Sequence, residues 1–226
     1  MDNYVAEKGI SKPQMLELRE IHYQPATSET SILNGINLQA YKGEPVIIAG
    51  PSGSGKTSLV EVISGLSKPQ SGSLYWQGKK LNERQRRWLC GVVFQFPERH
   101  FLGLTVSQEL RLGHRRLSSQ DQAIALKKVG LAQIDLKQAP ERLSGGQQKR
   151  LALAVQLLRE PCILILDEPT AGLDWSVRHE ILSLLAKLAK EQLLIVVTHE
   201  PELFKGWKIS PFRLDQGKLK PLTKFL

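Results

Sequence analysis

Three unbroken apolar stretches mark the chain: 46–50 (VIIAG), 162–166 (CILIL) and 193–197 (LLIVV). A strand without a polar face is covered on both sides. These runs therefore predict inner strands of a parallel sheet with helices packed above and below. Residues 90–95 (CGVVFQ) predict a further buried strand. Residues 15–23 (MLELREIHY), 36–41 (INLQAY) and 73–78 (SLYWQG) mix apolar and polar positions and predict a separate antiparallel sheet. The tail 213–222 (RLDQGKLKPL) reads as a closing hairpin with Asp-Gln-Gly near its turn.

Helical periodicity fills most of the remainder. Residues 56–66 (KTSLVEVISGL) predict a helix stopped by Gly65 and then Pro69. Between about 96 and 160 the runs TVSQELRLG, SQDQAIALKKVG and GQQKRLALAVQLLRE are helical in period. In the last of them Leu151, Val155 and Leu158 share a face. A further helix is predicted over about 175–191, with Val177, Ile181, Leu184, Leu185 and Leu188 as its buried stripe. The whole pattern predicts a single α/β domain over 1–226. It has a mainly parallel sheet, an antiparallel β subdomain and a helical lobe over about 96–160 inserted in the core. There is no internal repeat and no low-complexity segment.

Composition changes this picture little. The chain has 226 residues, 41% of them hydrophobic, which is enough for a substantial core. No apolar run approaches the roughly 18 residues that span a bilayer. The N-terminus lacks the apolar block of a secretory signal and is compatible with a mature form whose transit peptide has been cleaved. Cys90 and Cys162 adjoin strand-like runs and read as buried free thiols in a reducing compartment, not as a disulfide framework or metal site.

The net charge is +9, from 31 Lys and Arg against 22 Asp and Glu, with basic clusters at 83–87 (ERQRR) and 111–116 (RLGHRR). Such clusters either attract nucleic acid, anionic lipid or nucleotide, or are solvated helix faces. Aromatic residues make up 6% and none interleave with the basic runs, which disfavours single-stranded nucleic acid as a partner.

Four strand ends carry chemistry. Residues 50–57 (GPSGSGKT) match the phosphate-loop pattern, between a predicted strand and a predicted helix. Gly50, Pro51, Ser52, Gly53, Ser54 and Gly55 form the loop that cradles phosphates through backbone N–H groups, and Ser58 continues it into the helix. Lys56 reaches the terminal phosphates, and the Thr57 hydroxyl can coordinate Mg²⁺. The strand 162–166 runs into two acids: Asp167, placed for the Mg²⁺ hydration shell, and Glu168, placed to orient an attacking water. His199 closes the strand of residues 196–200 (VVTHE). A lone histidine is usually structural, but here it joins the same sheet edge and is a candidate for gripping the γ-phosphate. Gln95 ends residues 90–95 on that edge and is a candidate ligand of Mg²⁺ or water. A second anion site is predicted at residues 143–147 (LSGGQ), where Ser144, Gly145, Gly146 and Gln147 open a helix whose bare N–H groups favour negative charge.

Together these segments, with Asp174 in 171–174 (AGLD), resemble the ATP-binding cassette (ABC) family in the expected order over nearly the whole chain. LSGGQ is similar to that family's signature and AGLD to its D-loop. The resemblance implies the ABC ATPase fold, a P-loop NTPase core, with ATP and Mg²⁺ as ligands. It explains the second anion site: two chains meet head to tail, and the signature of one completes the ATP site of the other. Tyr23 resembles the family's aromatic residue that stacks on adenine.

Residues 93–110 (VFQFPERHFLGLTVSQEL) are most similar to ATPases of energy-coupling-factor importers for vitamins or metal ions, and VFQFPE also to plastid and cyanobacterial members. The resemblance implies a motor subunit lying peripherally on the cytoplasmic or stromal face of a membrane. Its partners are a second ABC ATPase chain, identical or paralogous, and an integral-membrane subunit. The competing reading is a soluble non-transport ABC ATPase acting on nucleic acid or ribosomes. Its relatives usually carry a coiled-coil insertion or two cassettes, and neither is present in this sequence.

Overall fold

The structure is a computed structural model that describes residues 15–114 and 116–222. The N-terminal leader reading and Arg115 of the second basic cluster lie outside these residues. Two sheets form. In the first, β1 (Met15–Tyr23) is central, flanked by β2 (Leu33–Tyr41) and β4 (Ser71–Trp76), with the two-residue β5 (Lys79–Lys80) at the edge; all its pairings are antiparallel. The second has six strands in the order β10 (Lys218–Pro221), β9 (Ser210–Asp215), β3 (Val46–Ala49), β8 (Leu193–Thr198), β7 (Ile163–Asp167) and β6 (Cys90–Val93). Every pairing from β9 to β6 is parallel, and only the β9–β10 hairpin is antiparallel.

β3, β7 and β8 are buried at every position, as unbroken apolar runs require. The side chains alternate between two cores. Ile48, Ile165, Ile195 and Val197 face one core shared with α1 (Lys56–Ser64) and the antiparallel sheet. Ile47, Leu164, Leu166, Leu194 and Val196 face the other, shared with α6 (Trp175–Glu191) and α5 (Gly145–Leu157). α3 (Val106–Arg111), α4 (Ser119–Lys128) and α5 lie between β6 and β7 in the chain. α6 spans 175–191 as predicted, with Ile181, Leu184, Leu185 and Leu188 buried. Of the face assigned to α5 only Leu151 is fully buried and Val155 and Leu158 are half-buried, whereas Ala152, Leu153, Ala154 and Leu157 are buried too, because α5 is wedged between the sheet, α3, α4 and α6.

The basic run 83–87 is neither a solvated face nor an anion-recruiting patch throughout. It lies in α2 (Glu83–Leu89), and Arg86 is 2% exposed. Arg86 donates to Val62 O, and Arg87 Nη1 donates to Gly65 O at 2.9 Å. Two guanidinium groups thus bind carbonyls at the C-terminus of α1, where cations are favoured by the helix dipole. Burial holds the Arg86 guanidinium below its usual pKa, against the raising effect of Glu83.

Close helix packing explains one signature glycine. A Cβ on Gly146 would lie 2.3 Å from Val177 Cγ1, whereas one on Gly145 meets only Leu173 Cδ2, at 3.8 Å. Gly146 therefore lets the amino end of α5 approach α6. Its absent side chain serves packing within the chain, beyond the approach to phosphate anticipated from the motif.

Two outcomes follow from this packing. Gly146→Ala should lose about 1–3 kcal/mol of stability through overpacking, while Gly145→Ala should stay within about 0.5 kcal/mol of wild type. Val177→Ala combined with Gly146→Ala should recover most of the loss in a denaturant double-mutant cycle, and simple additivity would refute the contact. The Cys90 thiol is pushed up to about 12 by burial, whereas Cys162 is only half-buried. At pH 8, Ellman's reagent should titrate one fast thiol in the native protein and the second only on unfolding; two fast equivalents would contradict the packing around Cys90.

Candidate functional site

The register of the parallel sheet brings its carboxyl ends together. Ala49 pairs with Thr198, Asp167 with Val197, and Val93 with Leu166, so the chain leaves β3, β8, β7 and β6 along one edge. A cleft of about 590 Å³ opens there, lined by Ile32, Ser52, Gly53, Gly55, Lys56, Thr57, Ser58, Gln95, Asp167, Glu168 and His199. The phosphate loop, both acids, the glutamine and the histidine picked out in the sequence thus meet in one place. Gln95 and His199 sit just past β6 and β8 rather than within them, because pairing stops at Val93 and Thr198.

The loop is tightly built. A Cβ on Gly50 would fall 2.4 Å from Leu214 O, so glycine is required where the loop leaves β3 beside β9. Gly53 (φ 78) and Gly55 (φ 99) occupy left-handed backbone that other residues rarely adopt. Gly55 caps α1 without a side-chain bond, which leaves the N–H groups of the first turn free to bind an anion. Pro51 and Ser54 do not line the cleft. Lys56, 9% exposed, donates from Nζ to Gly50 O at 2.8 Å and Pro51 O at 3.0 Å, which holds the ammonium against the loop.

Beside the loop, Thr57 Oγ1 donates to Asp167 Oδ2 at 2.8 Å. Burial raises the Asp167 pKa, and the Thr57 hydrogen bond opposes that shift. The hydroxyl of Thr57, the carboxylate of Asp167 and the amide oxygen of Gln95 are a hard, all-oxygen donor set that suits Mg²⁺ completed by phosphate and water. Among the described residues no group of three or more His, Cys, Asp or Glu side chains forms a closed metal site.

Glu168 is 6% exposed and sits at φ 49, a left-handed conformation unusual for a side chain of its size. Its N–H donates to Val197 O at 2.9 Å. Its carboxylate Oε2 lies 2.8 Å from His199 Nδ1 and accepts from His199 N at 3.3 Å. Lys149 lies behind this pair, 7% exposed, and Nζ donates to Gln95 O at 3.2 Å and Glu168 O at 3.1 Å. Burial lowers the Lys149 pKa, while the nearby charges of Glu98, Glu168 and Asp167 oppose that shift.

Other sequence-selected residues lie elsewhere. Tyr23 is not part of the cleft wall. Its hydroxyl donates to Ser67 Oγ at 3.2 Å, and its carbonyl accepts from Ile32 N at 2.8 Å. Ile32 is the apolar residue that reaches the cleft. Ser144, Gly145, Gly146, Gln147 and Asp174 form a second locus outside the cleft. Ser144 Oγ accepts from Gln147 N at 3.3 Å, and Gln147 Oε1 accepts from Ser144 N at 2.9 Å, a reciprocal capping box at the start of α5. Asp174 caps α6 by accepting from Val177 N at 3.0 Å, and this bond, with that from Ser176, lowers its pKa. Sequence reading missed Lys149 and Ile32. A lysine four residues past Gly145, on the side of the helix that carries Ala152 and Leu153, was the available signal for the first; Ile32 lies one residue ahead of a strand and offered none.

Comparison with known proteins agrees with this geometry. The family model described as ABC transporter matches residues 33–171. ABC transporter I family member 11, chloroplastic, of Arabidopsis thaliana is 41% identical over 218 residues, covering 89% of this chain and 78% of that protein. Energy-coupling factor transporter ATP-binding protein EcfA2 of Acetivibrio thermocellus is 36% identical over 214 residues, covering 90% and 76%. The structure of cbiO1 from Clostridium perfringens, part of the ABC transporter complex cbiONQ, superposes with TM-score 0.82 at 31% identity, covering 92% of this chain and 88% of that one. With a phosphate loop, two acids and a histidine gathered on one edge of its parallel sheet, and with the family model and these relatives matching most of its length, the chain belongs to the ABC transporter family, as an ATP-binding subunit that hydrolyses ATP.

Proposed function

We propose that this chain is one nucleotide-binding domain, with its helical lobe at about 96–160, of an energy-coupling-factor type importer for a vitamin or a metal ion. The relatives that carry energy-coupling-factor and cbiO names support the importer subtype. Two such chains, identical or paralogous, pair head to tail around two ATP at the cytoplasmic or stromal face of a membrane. One observation carries the pairing: Ser144, Gly145, Gly146, Gln147 and Asp174 do not line the chain's own cleft, and the capping box at the start of α5 takes up the N–H groups of Ser144 and Gln147 but not those of Gly145 and Gly146, which are left for a partner's nucleotide. No helix among the described residues is long and apolar enough to cross a membrane, which fits peripheral attachment.

In this mechanism the first-turn N–H groups of α1 bind the phosphates, and Lys56 swings from Gly50 O and Pro51 O to the terminal phosphates. A base rests against Ile32, with Tyr23 beside it. Thr57, Asp167 and Gln95 would hold Mg²⁺, which supplies charge neutralisation on the β- and γ-phosphates when bound. Glu168 orients water and accepts its proton. His199 constrains that role. A neutral ring that donates Nδ1–H to Glu168 leaves Nε2 as an acceptor, so gripping a phosphate through Nε2 requires the doubly protonated ring or release of Glu168.

Phe96, Leu102 and Leu104 are exposed and belong to the segment that follows Gln95, which also supplies Pro97 and Phe101 to a groove lined with Phe94 and Val155. Phe101 itself packs against the core. Buried Glu109 accepts from Leu102 N at 2.8 Å and Gly103 N at 2.7 Å, so the loop is held in place before any partner arrives. A short helix of the membrane subunit is the occupant proposed for this groove.

Glu168→Gln should keep ATP binding and lose about 10²–10⁴-fold in turnover, and near-normal hydrolysis would remove Glu168 from the role. Mixing Ser144→Arg with Lys56→Ala chains tests the pairing. In a head-to-tail homodimer one composite site carries both defects and the other carries neither, so ATPase activity should partly return; a mixture that stays inactive points to a different partner cassette. Leu104→Asp, at an exposed position, should leave folding and basal hydrolysis intact while co-purification with the membrane subunit falls. Normal assembly by this variant would rule out the groove.

A further inference from the structure

We propose that Lys149 is a positioning residue that sets the backbone of Gln95 and Glu168 together, from the helix that begins at the signature. This inference rests on the roles proposed above for those two residues. Lys149 lies one turn into α5, and its ammonium is buried without a hydrogen bond to a carboxylate. Both of its bonds go to backbone carbonyls, of Gln95 at 3.2 Å and of Glu168 at 3.1 Å. Those carbonyls belong to neighbouring strand ends, the first two residues beyond β6 and the second one residue beyond β7.

Neither carbonyl is placed by the regular ladder. Gln95 lies past the last pair of β6 and β7, Val93 with Leu166. Glu168 has turned into left-handed backbone at φ 49, where its carbonyl accepts from Ala171 N at 3.2 Å as well as from Lys149. An ammonium is costly to bury and three donors on one nitrogen serve several acceptors, so its retention here makes geometric sense as a strut between two carbonyls. Shifting α5 moves Nζ, and with it the backbone that aims both side chains into the cleft. The first residues of the same helix, packed on α6 at Gly146, do not line this cleft. Lys149 therefore links the surface proposed to touch a partner's nucleotide to the residues that act on the chain's own.

The test compares Lys149→Met, which keeps the length and removes the donors, with Lys149→Gln, which restores two donors without charge. Nucleotide affinity and steady-state ATPase kinetics are measured on the full chain, well below its melting temperature. Lys149→Met should bind ATP within about two-fold of wild type yet lose about ten-fold or more in kcat, because misaimed groups slow the chemical step without weakening the ground state. Lys149→Gln should return to within about three-fold of the wild-type kcat. Wild-type kcat in Lys149→Met, or a loss in Lys149→Gln as deep as in Lys149→Met, overturns the inference. Should Lys149→Met fail to fold, Lys149→Gln alone decides by the same threshold. Glu168→Gln run in parallel separates the two levels. An inactive Glu168→Gln beside an unimpaired Lys149→Met refutes the strut alone, whereas an active Glu168→Gln refutes the underlying reading and the strut with it.

Discussion

Parallel pairing of β3, β8, β7 and β6 is the constraint on which the site depends. Four strands that run the same way must all be left at the same edge, so four chemically useful loops have no choice but to converge there. The strands hold because their side chains are apolar on both faces and each face meets its own core. Substituting a polar residue in β7 would therefore disturb the cleft without touching it, since Asp167 and Glu168 are aimed by the strand beneath them.

Burial around the cleft creates a polar problem that the chain solves locally. Asp167, Glu168, Lys56 and Lys149 are all nearly inaccessible, and each has hydrogen-bond partners: Thr57 for Asp167, His199 for Glu168, and backbone carbonyls for both lysines. Charges left unpaired at such depth would be strongly destabilising, whereas satisfied ones specify a unique arrangement. The same logic appears away from the site, where Arg86 and Arg87 close the end of α1. A basic run that looks like a surface feature in sequence is in part an internal fitting.

The starts of α5 and α6 form a second unit. Ser144 and Asp174 cap their helices, and Gly146 lets the two ends touch. The residues of this unit do not line the chain's own cleft, while Lys149 ties the same helix back to Gln95 and Glu168. Residues separated by a few positions in sequence thus serve two different surfaces.

Fold class and most of the cleft were legible in the sequence because both are written in local patterns. Unbroken apolar runs are strands covered on two sides, and GPSGSGKT between a strand and a helix has few other physical uses. Residues 167, 168 and 199 could be placed for the same reason: they follow within two residues of such runs. What the sequence could not determine depends on which side chains meet across the fold. The contact of Gly146 with Val177, the direction of Lys149, the burial of Arg86, the entry of Ile32 into the cleft and the turn of the Tyr23 hydroxyl toward Ser67 all join segments that have no local signal of each other. Periodicity reports how far a position is buried, but only packing in three dimensions decides against what.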